Sequence, residues 1–154
     1  MAATLIGIVL SPAGAMLPGD VSEGVLEAGR GLVGDRYYRG TGTFSKVPLQ
    51  PDAEITLIEL EEIDRFNTLQ TASFPIGAFR RNLVTKDIRL NDLVGKQFVV
   101  GDALLKGKRL CEPCSHLAKL TTQTIVAGMA HRAGLRAQIL RGGAIHVGDA
   151  VTRL

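Results

Sequence analysis

This sequence predicts a mainly β fold, an antiparallel barrel of about seven short strands with a few helices flanking it. Three observations carry the prediction. The apolar, β-branched runs are short and end at turn residues. Glycine is abundant, 18 of 154 residues, which implies many tight turns along a short chain. The strand-like runs also do not alternate with helix-like ones one by one, as a doubly wound parallel sheet would require. The length suits a single domain spanning 1–154.

Thr4 to Leu10 is β-branched and apolar, ends at Ser11-Pro12, and reads as a buried strand. Its apolar stretch is too short for a signal peptide and no Lys or Arg precedes it. Residues 13–24 are turn-like. Residues 25–46 are broken by Gly29, Gly31, Gly34, Gly40 and Gly42, and read as a long functional loop. Glu54 to Ile58 alternates as a strand does. Glu59 to Leu69 places Leu60, Ile63, Phe66 and Leu69 on one helical face, with Glu59, Glu61 and Glu62 where the helix dipole favours acids. Arg80 to Thr85 is a short strand. Gln97–Val100 and Ala103–Leu105 are strands parted by a Gly101-Asp102 turn. A second helix starts at Cys114 or Ser115 and runs with breaks to about His131, with Gly134 closing it. Leu135–Leu140 and Ala150–Leu154 are the last strands, with turns at Gly142-Gly143 and Gly148-Asp149.

Hydrophobic residues make up 45% and charged residues 21%, which excludes a disordered chain, a collagen and a coiled coil. Eighteen basic against 15 acidic residues leave a net charge of +3, and the basic residues form no run. The expectation is a pocket for a small anion, with no nucleic acid and no membrane as partner. No apolar stretch nears the roughly 20 residues of a membrane span. Both cysteines, Cys111 and Cys114, sit in one tetrapeptide. A disulfide scaffold would spread them, so a reducing, cytoplasmic setting is expected.

The chemistry centres on Leu110-Cys111-Glu112-Pro113-Cys114-Ser115-His116. At the start of a helix, backbone N–H groups stabilise the thiolate of Cys114. Lys106, Lys108 and Arg109 add positive charge upstream, and His116 or Lys119 could keep the thiolate ionised. Such a cysteine carries sulfur or ligates a soft metal. The plainer alternative is two ordinary cysteines at a strand–helix junction. A dithiol redox pair lacks its βαβ context. A zinc site of Cys111, Cys114, His116 and His131 lacks a second close ligand pair.

Gly34-Asp35-Arg36-Tyr37-Tyr38, followed by Arg39, Thr41, Thr43 and Ser45, combines guanidinium, hydroxyl and aromatic groups. These suit a phosphate joined to a flat ring, or form a surface turn in which Asp35 and Arg36 satisfy each other. Within Arg80-Arg81-Asn82, a strand would point the two arginines to opposite faces, leaving one for an anion. His131, Arg132, Arg136 and Arg141 add cations near a helix end. Glu112 has no evident partner. No dinucleotide fingerprint, P-loop or nucleophile elbow is present.

In order, Gly34-Asp35-Arg36-Tyr37, Ile55-Thr56-Leu57-Ile58-Glu59, Arg80-Arg81-Asn82-Leu83-Val84-Thr85, Leu93-Val94-Gly95, Phe98-Val99-Val100-Gly101, Arg109-Leu110-Cys111-Glu112-Pro113-Cys114, Gly142-Gly143-Ala144-Ile145 and Val147-Gly148-Asp149 resemble a MOSC domain, the C-terminal domain of molybdenum cofactor sulfurases. The resemblance covers about residues 4–154. It implies a β-barrel with added helices and a cysteine, mapping to Cys114, that carries sulfur as a persulfide or ligates molybdenum. It also implies the molybdenum cofactor, held by Asp35, Arg36, Tyr37, Arg80, Arg81, Asn82, His131 and Arg136. Cys111 and His116 join Cys114 as catalytic candidates. The pyridoxal-phosphate desulfurase domain of full sulfurases has no counterpart here. The resemblance therefore implies a stand-alone domain fed by a cysteine desulfurase or other sulfur donor, which would hold the pyridoxal phosphate, and a molybdoenzyme acceptor. Two alternatives stand beside this reading. One is a non-catalytic cofactor carrier. The other is a reductase of N-hydroxylated compounds that works with electron-transfer partners.

Overall fold

The β-branched run at the start of the chain forms strand β1 (Thr4–Leu10). The computed structural model describes residues 2–10, 19–35, 54–113 and 125–154. Within them follow β2 (Gly19–Val21), β3 (Glu23–Glu27), β4 (Gly31–Leu32), β5 (Ile55–Glu59), β6 (Leu83–Lys86), β7 (Gln97–Val100), β8 (Ala103–Leu110), β9 (Leu135–Arg141), β10 (Gly143–His146) and β11 (Val151–Arg153). Helix α1 spans Leu60–Leu69, and α2 is a single turn, Ile125–Gly128.

Eight strands form one sheet in the order β11-β7-β8-β9-β5-β6-β1-β2, and β10-β3-β4 form a second. Among the described strands, only β5 and β6 pair in parallel. A parallel pair needs a crossover, and α1 with the 3-10 turn Ile76–Phe79 supplies it. The chain is thus mainly β, and the expectation against a doubly wound sheet holds. The pairing stays open where a barrel would close. The flanks of the large sheet meet at one bridge, Thr4 to Ala150, beside the hydrogen bonds Leu5 N to Asp149 O (2.8 Å) and Val151 N to Ala3 O (3.0 Å). β2 already occupies that edge of β1 from Ile8 to Leu10, so only its first residues are left for the contact.

Alternation along the central strands divides two cores between the faces of the sheet. Ile8, Ile55, Leu57, Leu83, Phe98, Leu105, Leu135 and Ala137 fill one. Val9, Ile58 and Val84 point to the other, where they meet Ile63 and Phe66 of α1, Phe79, and Ile125 and Met129 of the α2 segment. Every residue of β5 is buried, as expected of a strand covered on both sides. Edge-to-face packing of Phe66 on Phe79, with centroids 6.0 Å apart, fixes the seat of α1.

Three sequence expectations change. The stretch 25–46, expected to lack regular structure, contains most of β3 and all of β4, and β2 and the start of β3 lie in the supposed turns of 13–24. Arg80 and Arg81 precede β6 instead of opening it, and Arg80 adopts a left-handed backbone (φ 60°) that ends the 3-10 turn. Gly143 is the first residue of a strand, β10, that pairs with β3.

Gly134 sits where β9 enters the sheet. Its φ is 115°, and a Cβ there would strike the carbonyl oxygen of Leu57. Gly134→Ala is therefore expected to cost about 3 kcal/mol or more, read as a lowered urea midpoint.

Buried Glu54 joins the two sheets. Its Oε1 accepts from Gly29 N (2.9 Å) and Ile139 N (3.2 Å). Desolvation raises its pKa above the ordinary 4.5, against the pull of those N–H groups and of Lys108. The folded state holds this proton more tightly than the unfolded chain does. The stabilisation is complete below pH 4.5 and fades as pH rises through the raised value. Glu54→Gln keeps an acceptor oxygen without the titration. Its melting temperature is expected to fall less than the wild type's between pH 4.5 and neutrality.

Candidate functional site

The end of β8 runs into the cysteine motif, and the structure holds that junction from several sides. Cys111 is buried, and its N–H donates to Gly134 O at 2.7 Å. Arg81, also buried, lies beside it. Its Nε donates to Ala133 O (2.8 Å) and its Nη2 to Cys111 O (3.2 Å) and Glu112 O (3.4 Å). The planar fork of a guanidinium suits several carbonyls at once. One side chain thus ties the residues before β6 to the end of β8 and to the turn before β9.

Glu112 has a partner that sequence spacing does not reveal. Its Oε1 accepts the backbone N–H of His131 at 2.7 Å, and its Oε2 lies 2.7 Å from His131 Nδ1. The histidine backbone is left-handed (φ 60°), and His131 sits in a turn three residues past the end of α2. Both side chains are partly or largely exposed, 44% for Glu112 and 78% for His131. A carboxylate on Nδ1 directs the other ring nitrogen, Nε2, away from it.

Asn82 anchors the same region from below. Its Oδ1 accepts from Thr56 N and Thr56 Oγ1, both at 3.1 Å, and its N–H donates to Thr56 Oγ1 at 3.0 Å. Its backbone oxygen takes the N–H of Val9 at 2.7 Å. Thr56 pairs in register with Arg136, and Arg136 with Arg109, so these three side chains form a row across β5, β9 and β8. The register thus makes two arginines cross-strand neighbours on that row. Buried Asp35 follows β4, beside Gly34, whose position faces Leu10 at the end of β1.

The structure therefore gathers Arg81, Cys111 and the 131–134 turn at one junction, with Asn82 and Arg136 meeting at Thr56. Arg36, Tyr37, Cys114 and His116 lie outside the described residues. Among the described residues no group of three or more His, Cys, Asp or Glu could hold a metal ion, and no helix is long and apolar enough to cross a membrane.

A family model described as MOSC domain matches residues 45–152. The chain belongs to the MOSC domain family. Solved structures share this MOSC fold. YuaD from Bacillus subtilis superposes with a TM-score of 0.83 at 15% identity, over 98% of this chain and 94% of that one. YiiM from Geobacillus stearothermophilus gives 0.76 at 17% identity, over 99% and 75%. YiiM from Escherichia coli gives 0.72 at 18%, over 98% and 69%. No curated protein matches the chain by sequence.

Arg81→Ala would leave three carbonyls without this donor. We expect a loss of about 2–4 kcal/mol, measured by urea unfolding. Arg81→Lys should recover only part of it, because an ammonium lacks the fork.

Proposed function

We propose that this MOSC protein binds the molybdenum cofactor and carries sulfur as a persulfide on Cys114. The observation that supports this most is the hold on Cys111 and Glu112, whose main chain and carboxylate are fixed by Arg81, Gly134 and His131. A cysteine that exchanges sulfur needs a rigid approach, and Cys114 is three residues beyond the fixed Cys111. Buried Cys111 is then a structural residue of the junction, leaving Cys114 as the exchanging thiol.

The donor set suits an anionic cofactor. Arg80 is buried, and Arg109 and Arg136 are neighbours across the β8–β9 ladder. In this proposal Arg80, Arg136 and Arg36 hold the phosphate, with Asp35, Tyr37 and Asn82 shaping the pocket. Arg81 holds the chain, since it donates to the main-chain oxygens of Ala133, Cys111 and Glu112. When bound, the cofactor supplies a thiophilic metal, for which Cys114 is a suitable soft ligand. His116 would help keep the thiolate ionised, and His131 would line the mouth.

In the transfer, the Cys114 thiolate attacks the outer sulfur of a donor persulfide. The donor S–S bond breaks, its inner sulfur leaves as a thiolate, and Cys114 retains the sulfur atom. We assign the donor to a cysteine desulfurase, with its own pyridoxal phosphate, and the acceptor to a molybdoenzyme, in the cytoplasm. We also propose that the large sheet closes as a barrel at the Thr4–Ala150 bridge.

The test is metal analysis and non-reducing intact mass on protein made in a host that synthesises the cofactor. Wild type is expected to carry molybdenum with a pterin, or the mass of one added sulfur that reductant removes. Cys114→Ala should lose it and Cys111→Ala should retain it. Neither signal in the wild type, or full loading in Cys114→Ala, overturns the proposal.

A further inference from the structure

Glu62 and Arg132 lie far from the cysteine motif in sequence, yet a continuous chain of contacts links them to it. Glu62, on α1, is almost fully buried, with 8% of its side chain exposed. Both of its carboxylate oxygens accept from Arg132 Nη1, at 3.2 and 3.3 Å. A buried carboxylate requires such partners, so this contact fixes Arg132 more firmly than a solvated ion pair would. The residue before Arg132 is His131, which is joined twice to Glu112. Glu112 lies between Cys111 and Pro113, and Cys114 follows.

Two further ties fasten the same turn. Arg65, which also donates to Glu62 at 3.2 Å, reaches Gly128 O at 2.6 Å. Asn91 Nδ2 donates to His131 O at 3.0 Å. Residues 128–132 are thus strapped to α1 and to the segment before β7. The left-handed backbone of His131 is a conformation that a non-glycine residue adopts only when its surroundings impose it, and these ties impose it.

We propose that Glu62 and Arg132 are positioning residues for the cysteine segment, acting through the His131–Glu112 contact. The helix sets the turn, the turn sets the carboxylate of Glu112, and Glu112 sets the segment 111–113, which Cys114 follows in sequence. This rests on the reading of Cys114 as the reactive cysteine and extends it to residues that touch no sulfur.

The test is the rate at which iodoacetamide alkylates Cys114 in the full chain, with fragment-ion masses separating it from Cys111. Arg132→Ala, Glu62→Ala and Glu112→Ala are expected to change the Cys114 rate by about fivefold or more, the factor that one lost hydrogen-bonded contact represents. Glu112→Gln keeps an oxygen for His131 N and a polar atom for the ring. It should stay within about twofold of the wild type, as should Arg132→Lys, which can still reach Glu62. Melting temperature is read in parallel. If it falls while the Cys114 rate stays constant in the alanine variants, the strap is only structural and the proposal is overturned. Equal effects in the alanine and conservative variants also overturn it. A variant that does not fold is replaced in the comparison by its conservative partner and by Asn91→Ala, which removes a tie of the same turn. The reading of Cys114 as reactive fails separately, if the wild-type thiol reacts no faster than free glutathione whatever the variants do.

Discussion

Arg81 can be buried only because its N–H groups meet carbonyl oxygens, and that requirement shapes the site. A guanidinium withdrawn from water without acceptors would destabilise the fold by several kcal/mol. The acceptors come from two chain segments that are distant in sequence: Ala133 meets Cys111 and Glu112 only because β8 and β9 pair. The same pairing brings Cys111 N to Gly134 O. Gly134 can lie there because it has no side chain to strike Leu57. A charge, a glycine and a strand register therefore support one another.

A second layer of polar contacts lies beneath the first. Asn82 and Thr56 satisfy each other's donors and acceptors where β1, β5 and β6 meet. Polar side chains in a buried sheet are tolerated only when so satisfied, and the arrangement then admits few alternatives. It explains why Asn82 follows the two arginines directly. The segment 80–82 turns from the 3-10 element into β6, and each of its residues is buried.

Much of the fold is legible in the sequence, and the reason is periodicity. β1, β5, α1, β7, β8 and β9 come from runs whose apolar residues repeat with the period of the element they form. β8 extends to Leu110 beyond the expected Leu105 because Gly107 and the basic residues after it hide the alternation. β2, β3, β4 and β10 are short and contain glycine, and their stability comes from partners: β10 pairs with β3, more than a hundred residues earlier. No local pattern announces such a pair. The neighbours of Arg80 suggest a strand, whereas the end of the 3-10 turn sets its backbone.

The site divides along the same line. Arg81, Asn82 and Cys111 are identifiable by residue type and motif, because buried charge and thiol chemistry use few residue types. What Arg81 does is not, because a guanidinium that holds carbonyls and one that holds a phosphate look alike in a sequence. The Glu112–His131 contact is hidden for another reason. Its two residues are 19 apart, and the link depends on a left-handed turn tied to a buried carboxylate on α1. Helix and sheet must pack before that turn has a shape. The support of the cysteine segment is thus a tertiary property. The residues that position it are to be sought on α1 and in the 128–132 turn as much as in the motif itself.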